Sequence, residues 1–282
     1  MQDLLTELEK DGSLFEAGHF QLRLDVLDRL DAAISFAGPD SLDGELVLRA
    51  QKLAARLEAA NATLYRSLRA EIQRGECPAL FSDFLAQFRV EVAEGKWPRG
   101  NGYDFLDELI AGVFAFEEPD EDHVAARAEN VFYQPTPMRH LFALMARNAI
   151  SSDDVFVDLG SGLGHVTMLV SICTGARSRG IELEPAFVAA ARECAQRLGL
   201  KRVSFAEQDA RDADFSSGAV FYLYTPFSGS ILAAVLDSLR REALQRPIKV
   251  CAFGPCVEIV AREKWLKSAG AVETDRMAVF VS

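Results

Sequence analysis

The chain has 282 residues, 49% of them apolar and 26% charged, and its 30 Lys plus Arg against 42 Asp plus Glu give a formal charge of -12. That balance is close to the globular average and excludes disorder as the main state, while the length suits one large domain or two. A net negative charge repels a phosphate backbone, so nucleic acid is disfavoured as a partner unless a local basic patch offsets it.

The first residues, MQDLLTELEK, have neither the basic start nor the apolar run of a signal peptide. No apolar stretch approaches the roughly 20 residues that cross a bilayer. The expectation is a soluble, cytoplasmic protein. Cys77, Cys173, Cys194, Cys251 and Cys256 are odd in number and show no CxxC pair, and the four histidines are scattered. Neither a disulfide framework nor a metal site is expected.

Residues 1 to about 118 read as helices almost throughout. Leu46, Ala50, Leu53, Leu57, Leu64, Leu68 and Ile72 recur at helical steps and predict one buried stripe. Phe81, Phe84, Leu85 and Phe88 mark a second helix, and Phe105, Leu106, Leu109, Ile110 and Val113 a third, with WPRGNG at 97–102 as the breaker between them. At this spacing the aromatic residues are expected in the core rather than around a ligand.

The acidic, proline-bearing run EEPDEDH at 117–123 predicts a linker or exposed loop. Beyond it the texture changes. DVFVDL at 154, RGIEL at 179, RVSFAEQ at 202, AVFYLY at 219, KVCAF at 249 and MAVFVS at 277 read as strands alternating with helices. This pattern predicts an α/β, doubly wound parallel sheet over 126–282, preceded by an all-helical N-terminal domain over 1–125. Ligands of such sheets bind beyond the carboxyl ends of the strands, where the strand order reverses.

The first strand ends in Asp158-Leu159-Gly160-Ser161-Gly162-Leu163-Gly164-His165, and the apolar segment 166–170 continues as a helix. Glycines here let backbone approach a ligand, and free amides at the helix start favour a negative group. The dinucleotide fingerprint GxGxxG would need glycine at 165, where His165 stands. Asp158, before the first glycine, repels a pyrophosphate and attracts an ammonium. Glu182 closes the second strand about 20 residues on, where a carboxylate can accept from both hydroxyls of a ribose. Asp209 closes the third, placed for an exocyclic amine of adenine. Glu182 or Asp209 alone would be read as a solvated strand end; together with the loop they describe a pocket for a nucleoside with a cationic tail.

Through DLGSGLG at 158, GIELEP at 180 and QDA at 208 the sequence resembles the class I S-adenosylmethionine-dependent methyltransferases, over roughly residues 130–282. The resemblance implies a Rossmann-like fold and S-adenosyl-L-methionine as cofactor. It gives Asp158 and the loop Gly160, Ser161 and Gly162 the methionine part, Glu182 the ribose, and Asp209 with Ala210 the adenine. Just upstream, Phe132-Tyr133-Gln134-Pro135-Thr136-Pro137 looks like the YxxT element of the disruptor-of-telomeric-silencing histone-lysine methyltransferases, and like the YxPT or FxPx(S/T) element of bacterial and mitochondrial lysine methyltransferases of that branch. By that resemblance Tyr133 and Thr136 close over the methionine end, with His165 near it. Thr136 followed by Pro137 also fits a helix N-cap and first helical residue, with or without a ligand contact, and His165 also fits a plain helix position.

The fourth strand ends in Tyr224-Thr225-Pro226-Phe227-Ser228-Gly229. Amino-directed nucleic-acid methyltransferases usually carry (D/N/S)PP(Y/F/W) here, and the histone-lysine enzymes an Asn-rich aromatic segment; YTPF departs from both. Tyr224 and Thr225 are the expected acceptor-side, catalytic residues, with Tyr224, Phe227 and Phe132 as a slot around an amine. Of Phe221 and Tyr222, at least one is expected in sheet packing. FGPC at 253–256 is expected either at the same mouth or as a plain turn. The expected activity is methyl transfer to nitrogen, protein lysine among the acceptors. The alternatives are a small-molecule methyltransferase with a helical lid and a non-catalytic cofactor-binding scaffold. Residues 1–130 hold 13 Lys plus Arg against 26 Asp plus Glu, hence -13, and residues 131–282 hold 17 against 16, hence +1. The acidity lies in the helical half, where it suits either a basic substrate segment or simple solubility.

Overall fold

The computed structural model describes residues 2–35, 44–116, 134–147 and 150–282, which separate into two compact units, Met1–Ala70 and Glu71–Ser282. The first holds α1 (Gln2–Lys10), two single 3-10 turns, α2 (Phe20–Ser35) and most of α3 (Gly44–Gln73). The stripe expected on α3 is realised. Ala50, Leu53 and Leu57 pack with Leu5, Leu14, Val26 and Leu30 into one core. Arg23 is buried beside this core and donates to Asn61 Oδ1 and to the carbonyls of Leu14 and Glu16, so the buried cation is compensated by acceptors.

The second unit begins with α4 (Ala79–Ala93), α5 (Phe105–Phe114) and α6 (Met138–Ala146). The aromatic stripe of α4 converges on Phe142 of α6, whose ring centroid lies 6.1, 5.8 and 6.0 Å from those of Phe81, Phe84 and Phe88. These aromatics are core, as their spacing suggested. The compact unit therefore starts within α3, upstream of the change in sequence texture at 125/126.

A seven-stranded sheet follows. Its strands are β1 (Val155–Leu159), β2 (Arg177–Glu182), β3 (Val203–Glu207), β4 (Val220–Tyr224), β5 (Lys249–Phe253), β6 (Lys267–Ser268) and β7 (Ala278–Val281), in the order β3-β2-β1-β4-β5-β7-β6. Helices α7 (His165–Thr174), α8 (Pro185–Arg197), α9 (Gly229–Ala243) and α10 (Cys256–Val260) connect them. Strands β1 to β5 pair in parallel, but β7 runs antiparallel to β5, and β6 antiparallel to β7. The parallel sheet expected from the alternation is realised in β1 to β5, and β7 and β6 add an antiparallel edge. The connection 269–277 is shorter than the roughly dozen residues a parallel crossover needs, so β7 must return antiparallel beside β6. The strand β6 was not foreseen, because two exposed residues leave no periodic signal.

The order reverses between β1 and β4, which opens a crevice at the carboxyl ends of the strands. No helix among the described residues is long and apolar enough to cross a membrane.

Candidate active site

The glycine loop leaves β1 at Leu159 and folds back on β2: the amides of Gly160 and Ser161 both donate to the carbonyl of Ile181, at 2.8 and 3.1 Å. Gly160 has φ +77°, and a Cβ there would lie 2.1 Å from that of Pro226, just past β4. Only glycine permits this turn and this contact. Gly164, at φ +81°, starts α7 against the ring of Phe205, 2.5 Å from where its Cβ would be. The loop is thereby wedged between β2, β3 and the β4–α9 turn.

Asp158 sits between Gly180 of β2 and Tyr222 of β4 and is 2% exposed. Its Oδ2 accepts from Thr167 Oγ1 at 2.8 Å. Burial pushes its carboxyl up to about 7, with the Glu182 charge adding to the rise and the Thr167 hydrogen bond opposing it. Thr167 was missed at the sequence level, although a threonine inside the apolar run of α7 is a legible sign of a buried partner.

Glu182, at the tip of β2, accepts from the backbone amides of Gly162 (2.8 Å), Leu183 (2.8 Å) and Glu184 (2.9 Å). Its carboxylate therefore braces the glycine loop as well as standing at the crevice. Asp209 follows β3 and holds Arg211 through both carboxylate oxygens, at 3.0 and 2.7 Å, besides accepting from the Arg211 amide. Ala210 is buried in the sheet's core. His165 begins α7 half-buried, with its ring 4.4 Å from that of Phe116, and burial lowers its pKa to about 4, which keeps the imidazole neutral.

Thr136 is 4% exposed, and its Oγ1 shares a 2.7 Å hydrogen bond with Tyr222 Oη. The expectation that Thr136 caps the following helix is corrected. The N-cap of α6 is Pro137, and the first helical amide, that of Met138, donates instead to Asp107 Oδ1 at 2.9 Å. Asp107 of α5 also receives the Asp104 amide at 2.8 Å in a capping box, so one carboxylate serves two helix starts. With its capping task taken over, the Thr136 hydroxyl is released toward β4. Tyr133 and Phe132 lie outside the described residues.

At the β4 tip Phe227 is buried in the core with α9, not in the slot expected around an amine. Phe221 and Tyr222 are both buried, as alternation within a covered sheet allows. Tyr224 is half-buried, with its ring 4.7 Å from that of Phe253 on β5, and Phe253 in turn lies 4.4 Å from the ring of His140. Thr225 has φ +41°, a costly conformation for a β-branched residue. It is held there because its Oγ1 donates to the Phe253 carbonyl and accepts from the Cys256 amide, both at 3.2 Å. Gly254 closes on the same turn, 2.9 Å from Thr225 Oγ1 and 3.1 Å from the Tyr224 ring as measured from its Cβ position, so FGPC adjoins the mouth.

The donor set fits S-adenosyl-L-methionine. A buried carboxyl poised to ionise stands beside a glycine cradle, a second carboxylate marks the next strand tip, and the Ser161 hydroxyl is buried in the loop without a hydrogen-bond partner. Among the described residues, no group of three or more His, Cys, Asp or Glu is placed to hold a metal ion.

Residues 124–220 match the sequence model of the family described as histone methylation protein DOT1. No curated protein matches the chain. Among solved structures, the RNA methyltransferase of Salinibacter ruber in complex with S-adenosyl-L-homocysteine is 27% identical over 52% of this chain and 92% of its own, with a TM-score of 0.40. The precorrin-6y C5,15-methyltransferase of Geobacter metallireducens is 16% identical over 57% of this chain and 94% of its own, with a TM-score of 0.40. The tRNA (uracil-54, C5)-methyltransferase of Pyrococcus abyssi is 14% identical over 54% and 40%, with a TM-score of 0.41. With the strand order and glycine loop described above, the chain is a class I S-adenosylmethionine-dependent methyltransferase, with the sequence pattern of the DOT1 family over residues 124–220.

Proposed function

We propose that this enzyme methylates an amine nitrogen, that of a protein lysine. The observation that carries the reading is the match of residues 124–220 to a family described as acting in histone methylation. The uncharged, aromatic mouth at the tips of β4 and β5 supports it.

In this reading Asp158 and the backbone of Gly160, Ser161 and Gly162 hold the methionine end of the cofactor, Glu182 its ribose, and Asp209 with Ala210 its adenine. Glu182 Oε1 already accepts two amides and Oε2 one, so Oε2 keeps a lone pair for the ribose. Thr136 and His165 border the methionine end. When bound, the sulfonium of S-adenosyl-L-methionine supplies an electrophilic methyl group for in-line displacement by the amine.

The chain's own residues orient and dehydrate the acceptor. Tyr224 lies half-buried, and burial raises its pKa, so its phenol stays neutral and its ring face is available to an ammonium. His140 is also neutral: burial lowers its pKa, and its Nε2 sits 2.7 Å from the Gly100 carbonyl, to which it must donate. Thr225 fixes the turn that presents Tyr224. The acceptor meets the half-exposed ring as an ammonium and gives its proton to water before reaching the buried end of the mouth, where a desolvated cation without a carboxylate partner is penalised. Catalysis then rests on alignment and exclusion of water.

The test is incubation of purified enzyme with cell extract and methyl-labelled S-adenosylmethionine, followed by hydrolysis of acid-precipitable material. Label in methylated lysines is the expected result. Label confined to small solutes, or to another amino acid, rejects the reading.

A further inference from the structure

The segment 94–104 between α4 and α5 contains glycines at 95, 100 and 102 and would be loose by composition. It is instead tied down. The Arg139 guanidinium of α6 donates to the carbonyls of Arg99 (3.1 Å), Gly100 (2.9 Å) and Gly102, and His140 Nε2 also meets the Gly100 carbonyl. The Gly100 amide donates to the Asp275 carbonyl at 2.7 Å, and Arg99 pairs with Glu273 and Asp275 at 2.6 and 3.1 Å.

What the fastened loop displays is Tyr103. Its side chain is an exposed aromatic, 52% accessible, yet its hydroxyl donates to the Pro135 carbonyl at 3.0 Å. Pro135 adjoins Thr136, which is bonded to Tyr222 of β4. The loop reaches the β4 and β5 tips by a second route through His140, Phe253 and Tyr224, whose rings follow one another at 4.4 and 4.7 Å. Packing does not require a ring left half in water, and aromatic rings with an anchored hydroxyl are what binding surfaces employ.

We propose that Tyr103 is the outer wall of the acceptor mouth, receiving the alkylammonium side chain of the acceptor on its ring opposite Tyr224. This rests on the amine-directed reading and adds to it a residue outside the segments that suggested that reading. The hydroxyl anchors the ring and the ring face contacts the acceptor, so Tyr103→Phe and Tyr103→Ala separate the two contributions.

The test titrates n-butylammonium, with n-butanol as the neutral control, into enzyme saturated with S-adenosyl-L-homocysteine, and follows the ring proton–carbon signals of the five tyrosines. Expected are saturable shifts of Tyr103 and Tyr224 with butylammonium and none with butanol. Tyr103→Ala should weaken the affinity about three- to five-fold, as an exposed cation–π contact implies. Tyr103→Phe should stay close to wild type, and cofactor affinity should be unchanged in both. Absence of saturable shifts in the wild type, or an unchanged affinity in Tyr103→Ala, overturns the proposal. Equal losses in both variants accompanied by weaker cofactor binding would make Tyr103 a structural strap and also overturn it. The labelled-extract experiment decides the lysine reading independently, so methylated lysine with wild-type behaviour of Tyr103→Ala rejects only the role of Tyr103.

Discussion

Replacing Asp158 by Asn should make the free enzyme more stable at alkaline pH while weakening its cofactor. The carboxyl is buried, accepts one hydrogen bond from Thr167, and has its pKa pushed from near 3.8 to about 7. A rise of about three units corresponds to on the order of 4 kcal/mol. The folded pKa is raised, so the group's contribution to stability is full below pH 4 and is lost as pH climbs through 7. The Asn variant lacks this loss, although its second amide group, left without an acceptor, costs about 1–3 kcal/mol. The variant should therefore be less stable than wild type at pH 4 and about 1–3 kcal/mol more stable at pH 8, read by urea denaturation. Binding of the cofactor's ammonium selects the ionised carboxylate. Wild-type affinity for S-adenosylmethionine should then fall about tenfold from pH 8 to pH 6, whereas that of Asp158→Asn should be weaker throughout and flat. His165, lowered to about 4 by burial, stays neutral across this interval, and His140, whose pKa burial also lowers, is common to both proteins. Cys77 titrates near 7 but is common to both proteins and cancels in the difference. A stability difference that does not change with pH, or a wild-type affinity that is flat between pH 6 and 8, refutes the reasoning.

The Thr136–Tyr222 hydrogen bond can be measured by a double-mutant cycle: Thr136→Val and Tyr222→Phe should each cost about 1–3 kcal/mol by leaving a buried hydroxyl unpaired, and the pair together clearly less than their sum. Additive losses in urea denaturation would mean that the bond is not formed. Gly160→Ala places a methyl 2.1 Å from Pro226 Cβ at a positive φ, so a loss of more than about 2 kcal/mol in stability together with loss of cofactor binding is expected by thermal denaturation and calorimetry. A variant with wild-type melting would contradict the loop geometry. Among the five cysteines, Cys77 is half-buried with a pKa lowered to about 7, chiefly by a hydrogen bond with Cys173, while burial raises Cys173, Cys251 and Cys256. Iodoacetamide at pH 7.5 should alkylate Cys77 first, by peptide mapping, and faster labelling of any other cysteine would oppose this.

Much of the site was legible because its signals are local. Asp158, the three glycines and Glu182 stand at strand ends whose flanking apolar runs announce them, and the order of strand and turn dictates that they meet in one crevice. What was not legible depends on partners far along the chain. Thr136 reads as a helix cap until Asp107, from another helix, takes that task. Phe227 reads as a slot residue until α9 covers it. Thr225 reads as an acceptor-side hydroxyl, but its oxygen is committed to ties with Phe253 and Cys256 that hold a strained backbone.

The sequence by itself determined the alternation of strands and helices, the glycine loop after β1 and the placement of acids at or just beyond three strand ends, since hydrophobic period and turn residues act over a few positions. Only the tertiary structure decided that β7 runs antiparallel to β5 and β6, that Asp158 is buried deeply enough to titrate near neutrality, and that the loop 94–104 is fastened with Tyr103 bonded to Pro135. Those outcomes come from burial and from contacts between residues tens to more than a hundred positions apart, and no local pattern encodes the electrostatic environment that such contacts create.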